Sequence, residues 1–404
     1  MNTFAAVMTG KGVGAIATIQ IFSESAEKLL KKIFIPVGKG PAEFKTGKIL
    51  LGTIVDGAET IDQVIVGCED KNIYAINCHG NPLIVADIMR LLSRQGVTPL
   101  DAEELLAKIL SSRQGATAIE IEAKLAQLKA KTLAGAKIIA SQIRGGLSEK
   151  ARHWLESIDA MSLDEIKSQA QEILERSRAA KLIIYGARAV IAGPQNSGKS
   201  TLLNCLAGRQ KAIVTDIKGT TRDWVSAQCR IGPLSVELID TAGLDEEFGA
   251  KAGIIEKASQ EKAVQLLEEA DLVLLVLDGS QMAEQLGGRL IEKIAGKKVL
   301  TVLNKSDLPT RFDADKLPKI LASTVKISAK LGTGIDGLIE KMQQLLLAPA
   351  SPDASRGSGG VAEFDVSSGV CFTRRQENLL KQLKEIGSSQ QVVSVITELL
   401  NGQV

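Results

Sequence analysis

The chain runs to 404 residues, 45% hydrophobic and 24% charged, with a formal net charge of +2. That is too long for one ordinary core and predicts two or three globular domains. So even a balance provides no global basic field for nucleic acid, and 3% aromatics leave too few rings for a platform that stacks single-stranded bases. The five cysteines form no C-x-x-C pair, Met1-Asn2-Thr3-Phe4 opens without a charged and apolar leader, and no apolar run approaches the ~18 residues of a membrane span. A disulfide framework, a zinc site and a membrane location are therefore not expected; a cytoplasmic protein is.

Residues 1–100 predict a small α+β domain. Residues 14–21 read as a strand, 25–33 as a short amphipathic helix, and 61–68 and 71–77 as two further strands. Residues 82–95 carry Ile84, Ile88, Leu91 and Leu92 at helical spacing, with Gly96 as the stop. Over 101–181 Ala, Leu, Ile, Lys, Glu and Gln dominate, and no proline falls between Pro99 and Pro194. The helical period through Leu125, Leu128, Ile138 and Ile139, and again through Ile166, Ile173 and Leu174, predicts several antiparallel helices. His153 and Trp154 are expected to pack there, and Lys124, Lys129, Lys131 and Lys137 to form a solvated face.

Residues 182–348 alternate apolar strands (187–192, 234–239, 272–277, 299–303) with helical stretches, the pattern of a parallel sheet covered by helices on both faces. Residues 349–360, rich in Pro, Ser and Gly, read as a linker. In 361–404 the stretch 373–400 is helical again. It is too short to fold alone, so it is expected to pack back on the helices of 101–181.

The chemistry lies in the middle segment. Gly193-Pro194-Gln195-Asn196-Ser197-Gly198-Lys199-Ser200 is a complete phosphate loop. Its backbone N–H groups converge at a helix N-terminus, Gly198 lets the backbone approach phosphate, Lys199 supplies a point charge, and Ser200 and Thr201 follow at the helix start. Gly219-Thr220-Thr221-Arg222-Asp223, Asp240-Thr241-Ala242-Gly243, Asn304-Lys305-Ser306-Asp307 and Ser328-Ala329-Lys330 come after it, in the order of a guanine-nucleotide switch protein. Ser200, Thr221 and Asp240 are the expected Mg²⁺ contacts, and Gly243 the γ-phosphate sensor. Asp307 is expected to choose the base, because a carboxylate only accepts hydrogen bonds and guanine presents two donors to it. Ser328, Ala329 and Lys330 are expected to bring a backbone N–H to the guanine carbonyl. The architecture that follows is an α/β P-loop GTPase domain inserted in an all-α helical domain, preceded by a small α+β N-terminal domain.

The run from Gly193 through Asn204, Ala207-Gly208-Arg209, Ala212-Ile213-Val214-Thr215-Asp216-Ile217, Gly219–Asp223 and Ile239–Leu244 resembles the MnmE-type tRNA-modification GTPases. Ile76-Asn77-Cys78-His79-Gly80-Asn81-Pro82 is similar to the cysteine-histidine-glycine segment of that family's N-terminal domain, and Gly12-Val13-Gly14-Ala15-Ile16 to its opening glycine-rich strand. The resemblance implies GTP and GDP binding with Mg²⁺, a homodimer formed through the N-terminal domain, formyl-tetrahydrofolate as a ligand there, and a flavoprotein partner in modifying the wobble uridine of tRNA. It also implies K⁺-dependent pairing of G domains, with Asn196 matching the family's K⁺ contact.

Three departures mark a divergent member with a shortened C-terminus. The family's glutamate that orients the attacking water is matched by Ala250 or Lys251; Glu246 and Glu247 nearby read as surface charge. The family's terminal cysteine-x-glycine-lysine has no counterpart at Leu399-Leu400-Asn401-Gly402-Gln403-Val404, and Cys371 reads as a packed thiol. Residues 97–105 lack the family's arginine- and phenylalanine-containing stretch, which argues against folate. With the carboxylate and tail cysteine missing, the alternative is a non-modifying GTP-dependent switch or scaffold. His79, with His153 as the only other histidine and no nucleophile pair nearby, is expected to be structural.

Overall fold

A computed structural model of the chain describes residues 2–10, 12–38, 40–209, 225–240, 265–282, 288–313, 317–348 and 364–402. Its residues fall into two units, Met1–Thr117 and Ala118–Val404.

The first unit runs β1 (Thr3–Val7), β2 (Ile16–Phe22), α1 (Ala26–Ile33), β3 (Phe34–Pro36), β4 (Ile49–Asp56), β5 (Glu59–Asp70), β6 (Ile73–His79), α2 (Pro82–Arg94), β7 (Val97–Pro99) and α3 (Ala102–Ser111). The strands lie in the order β3-β4-β5-β6-β2-β1-β7, with only β1 and β7 parallel. The two-residue period of a strand sends Ile19, Ile21, Ile54, Val64, Val66 and Ile76 to one face, where they meet Leu30 of α1 and Ile88, Leu91 and Leu92 of α2. Each such side chain, fully buried, contributes roughly 1.5–3 kcal/mol. α2 begins where Asn81 accepts the Leu83 N–H at 2.9 Å and stops before Gly96 at φ 86°.

Sequence reading placed 102–111 with the helical block that starts at 101. The structure puts α3 in the first unit, where Leu105 and Ile109 cluster with Ala6 and Ile73 on the sheet's other face. Helical periodicity says which residues are buried and not against what. Asp101 starts this helix with a capping box to Glu104. Strands β1, β3, β4 and β7 carried no expectation. The ring of His79 is 67% exposed at its side chain, yet Nδ1 lies 2.7 Å from Oδ1 of the buried Asp62, whose Oδ2 accepts the His79 N–H at 2.8 Å. Gly80 sits so close to Gly14 that a Cβ there would stand 2.3 Å from the Gly14 carbonyl oxygen, which is why this turn takes glycine.

The second unit opens with α4 (Ala118–Gln127), α5 (Leu133–Arg144), α6 (Gly146–Glu156) and α7 (Leu163–Tyr185). Trp154 is fully buried and its Nε1–H donates to Gln169 at 2.7 Å. His153 is exposed, against expectation, because neighbouring helical positions face different ways and only some turn inward, and Leu128 is exposed because it lies in the turn after α4 ends.

α7 passes through Gly186 (φ 84°) into β8 (Ala187–Ala192), followed by α8 (Lys199–Arg209), β9 (Val225–Ile231), β10 (Leu234–Asp240), β11 (Leu272–Asp278), α9 (Gly288–Ile294), β12 (Val299–Asn304), β13 (Thr324–Lys326) and α10 (Ile335–Leu347). The sheet order is β13-β12-β11-β8-β10-β9. β8, β10, β11, β12 and β13 are parallel, but β9 runs antiparallel to β10. The four strands expected from sequence are parallel as expected; β9, which carried no expectation, is added at this edge, where the turn through Gly232 (φ 55°) folds β9 and β10 into a hairpin. Helices do cover both faces: Leu202, Leu206, Ile335 and Met342 pack under one, Ile294 and Leu267 under the other.

α11 (Arg374–Glu385) and α12 (Ser389–Asn401) pack on α7, α6 and α4. Glu122 of α4 is the joint: it accepts from Thr373 Oγ1 at 3.0 Å, Arg375 Nε at 2.8 Å, Arg375 Nη2 at 2.9 Å and Gln376 Nε2 at 2.7 Å. Arg375 also donates to the carbonyls of Glu398 and Leu399, and Tyr185 to that of Phe372. Cys371 is fully buried, which pushes its thiol up to about 12; it is the packed thiol expected. Glu122→Ala should destabilise the fold by about 2–3 kcal/mol, read by urea denaturation. Arg375 keeps some access to water, so the loss stays below that of a fully buried pair.

Candidate functional site

β8 ends at the carboxyl edge of the sheet, where open α/β folds place their ligands. Gly193 (φ 144°) presses on β11 so closely that a Cβ would stand 2.1 Å from the Val276 carbonyl oxygen. Asn196 takes the left-handed conformation at φ 57°, and Gly198 (φ 95°) leaves only 2.2 Å between a notional Cβ and Asn304 Nδ2. These turns coil the loop and bring it to α8, whose first residue is Lys199. The Lys199 side chain is buried, and its ammonium donates to the carbonyls of Gly193 at 2.9 Å and Pro194 at 3.0 Å. The loop thus encloses its own cation, ready for an anion to compete with those carbonyls. Ser197 Oγ is buried with no hydrogen-bond partner among the described residues, a polar atom whose satisfaction a bound ligand can supply.

Ser200, exposed at the start of α8, donates from Oγ to Oδ2 of Asp240 at 2.6 Å. Asp240 is the last residue of β10 and is buried. A hydroxyl and a carboxylate held together this way suit Mg²⁺, which takes one or two protein ligands and fills its octahedron with phosphate and water. Among the described residues no group of three or more His, Cys, Asp and Glu could hold a metal ion. Thr201 is exposed on the first turn of α8. Thr220, Thr221, Gly243, Ala250 and Lys251 lie outside the described residues, as do Glu246 and Glu247.

Asn304, buried at the end of β12, joins the two halves of the site. Its Nδ2 donates to the Ser197 carbonyl at 2.8 Å, and its Oδ1 accepts the Ala329 N–H at 3.0 Å. The phosphate loop and the Ser328–Lys330 segment are therefore held by one amide. Ser328 Oγ donates to Asp307 Oδ1 at 2.6 Å. That hydrogen bond, Asp307's own backbone N–H and the charges of Lys330 and Lys305 hold the Asp307 carboxyl below the usual range. Asp307 is thus an anion at neutral pH, exposed and able only to accept. Lys330 is exposed at the end of the segment.

Sequence reading passed over Asp278-Gly279-Ser280. Asp278 closes β11, a strand buried at every position. Its Oδ2 accepts from Lys305 Nζ at 2.7 Å, and its Oδ1 from Ser280 N–H at 2.9 Å and Ser280 Oγ at 2.6 Å. Burial opposes its charge, but the hydrogen bonds from Lys305 and Ser280 outweigh that and keep its carboxyl below the usual range. The available signal was an acid that ends a run of six apolar residues, 272–277, and is followed by glycine.

Residues 188–305 match the family described as 50S ribosome-binding GTPase. Across the whole chain, the tRNA modification GTPase MnmE of Clostridioides difficile is 30% identical over 380 residues, covering 85% of this chain and 82% of that protein. MnmE of Enterococcus faecalis is 30% identical over 381 residues, covering 85% and 81%. MnmE of Thermotoga petrophila is 28% identical over 417 residues, covering 95% and 88%. The similarity therefore extends well beyond the nucleotide motifs, into both flanks.

Proposed function

The chain belongs to the family of the tRNA modification GTPase MnmE, and from that premise we propose that it is a GTP-hydrolysing enzyme that serves tRNA modification. The observation that carries this reading is the Asn304 bridge, which fastens a phosphate-gripping loop to the Ser328–Lys330 segment, where Ser328 in turn holds the base-recognising carboxylate of Asp307. In it, Gly193, Asn196, Ser197, Gly198, Lys199, Ser200 and Thr201 hold the phosphates. Asn304, Lys305, Asp307, Ser328, Ala329 and Lys330 hold guanine, and Thr220, Thr221 and Gly243 serve as the switch. Ser200, Thr221 and Asp240 hold Mg²⁺, which when bound neutralises charge on the phosphoryl oxygens. Asn196 offers a neutral carbonyl to K⁺, a cation able to take the place of an arginine finger.

In this reading the G domain (182–348) is inserted between helical segments that close on each other through Glu122, and 1–100 with α3 is the dimerising domain. The sheet of that first unit turns Ile35, Ile49, Leu51 and Ile65 outward on one face, at 57%, 72%, 49% and 40% exposure. An apolar face of this kind suits a second copy. The partners proposed are a flavoprotein and tRNA, in the cytoplasm; no helix among the described residues is long and apolar enough to cross a membrane. Formyl-tetrahydrofolate is not part of the proposal, because 97–105 forms β7 and the capped start of α3 without the arginine that the family's folate stretch carries.

A second reading, a nucleotide switch without modification activity, is favoured by one observation: Ala250 or Lys251 stands where the family has its water-orienting glutamate. GTP turnover in K⁺ against Na⁺, with and without tRNA and the flavoprotein partner, tests both. We expect turnover about tenfold or more faster in K⁺ and modified wobble uridine in the complete mixture. Equal rates in the two salts remove the role of Asn196, and intact GTP binding without modification selects the switch.

A further inference from the structure

We infer that Asp278 is a positioning residue for base recognition, holding Asp307 in register through Lys305; this rests on the guanine reading above. Lys305 stands at φ 64°, in the left-handed region that a long side chain rarely occupies. It lies between Asn304, which is fixed by its bridge, and Asp307, which must meet the base edge. A residue held there needs an anchor over-determining its conformation. Asp278 supplies it, with Oδ2 at 2.7 Å from the Lys305 ammonium and Oδ1 pinned by both donors of Ser280.

The same turn braces the loop from both sides. Gly279 N–H donates to the Asn304 carbonyl at 2.8 Å, and the Gly279 carbonyl accepts from the N–H groups of Arg311 at 3.0 Å and Phe312 at 3.2 Å. Residues 278–280 therefore clasp the base-recognising loop at its entry, at Lys305 and at its exit. A carboxylate is required at the centre because donors approach both of its oxygens. An amide has one acceptor oxygen, so it satisfies either Ser280 or Lys305 and turns its own N–H toward the other.

The test titrates wild type, Asp278→Asn, Lys305→Met and the double variant with Mg²⁺·GDP, ADP and inorganic pyrophosphate by calorimetry. Asp278→Asn is expected to weaken GDP about ten- to a hundredfold, to narrow the GDP-over-ADP preference by the same factor, and to leave pyrophosphate binding unchanged. The double variant is expected to be no weaker than Lys305→Met alone, since one residue acts through the other. GDP affinity within about twofold of wild type, equal losses for GDP and pyrophosphate, or fully additive substitutions overturn the inference. Ser280→Ala, which removes the hydroxyl donor to Oδ1 and leaves the backbone N–H and the ion pair, is expected to show a smaller loss with the same selectivity signature, so the question stays answerable if Asp278→Asn does not fold. A wild type that fails to prefer GDP overturns the guanine reading and this inference together, whereas a selective wild type with an unaffected Asp278→Asn overturns the inference alone.

Discussion

Lys199→Ala is expected to lower the affinity for both GTP and GDP by about 10²–10³-fold. The Lys199 ammonium is almost wholly buried, 5% of the residue being exposed, and its charge lies inside a loop where solvent screens it poorly. Removing it leaves phosphate charge against backbone amides alone. The carbonyls of Gly193 and Pro194 that the lysine now occupies also lose their donor. With a phosphate bound they would then stand uncompensated near its oxygens. The loss should be similar for tri- and diphosphate where the β-phosphate is the common contact, and absent for guanosine itself. Calorimetric titration against all three, with circular dichroism to establish folding, checks it. A folded Lys199→Ala that keeps GDP within about threefold of wild type contradicts the phosphate-loop assignment.

Asp307→Asn is expected to weaken GTP by about 10²–10⁴-fold and to admit xanthosine triphosphate in its place. In the proposed site the carboxylate would accept from two donors on the guanine edge, whereas an amide keeps one acceptor and presents a donor where guanine also presents one. Xanthine carries a carbonyl at that position, so the mismatch is relieved. Ser328 Oγ, now 2.6 Å from Asp307 Oδ1, can still donate to the amide oxygen, so the segment should keep its place and the change should act on the base. Competition between labelled GDP and the xanthine nucleotide reads the exchange directly. Unchanged preference for guanine shows that another group reads the base.

What was legible in the sequence follows from how far apart the determinants lie. The phosphate loop is eight contiguous residues whose backbone turns are written in Gly193, Asn196 and Gly198, so it could be read locally. β8 was expected at the same limits the structure gives it, 187–192, because an apolar run feeding a glycine turn has few alternatives. β4 was missed: Ile49-Leu50-Leu51 shows no alternation in sequence, although Ile49 and Leu51 face out and Ile54 faces in. α3 was assigned to the wrong neighbour because amphipathicity does not identify the surface that Leu105 and Ile109 cover. Asp278 was missed for a related reason. Its partner Lys305 is 27 positions away, and only the parallel pairing of β11 with β12 brings them together. Side-chain chemistry that depends on strand neighbours is invisible until the sheet order is known.

The central claim is that this site distinguishes purines by their hydrogen-bond donors while gripping their phosphates. Titration of the wild-type chain with Mg²⁺·GDP and Mg²⁺·ADP under identical salt is the most direct test. The account predicts GDP bound about 10³-fold or more tighter than ADP, since a base lacking the two donors leaves Asp307 unpaired. Equal affinity for the two, or no measurable binding of either, contradicts it.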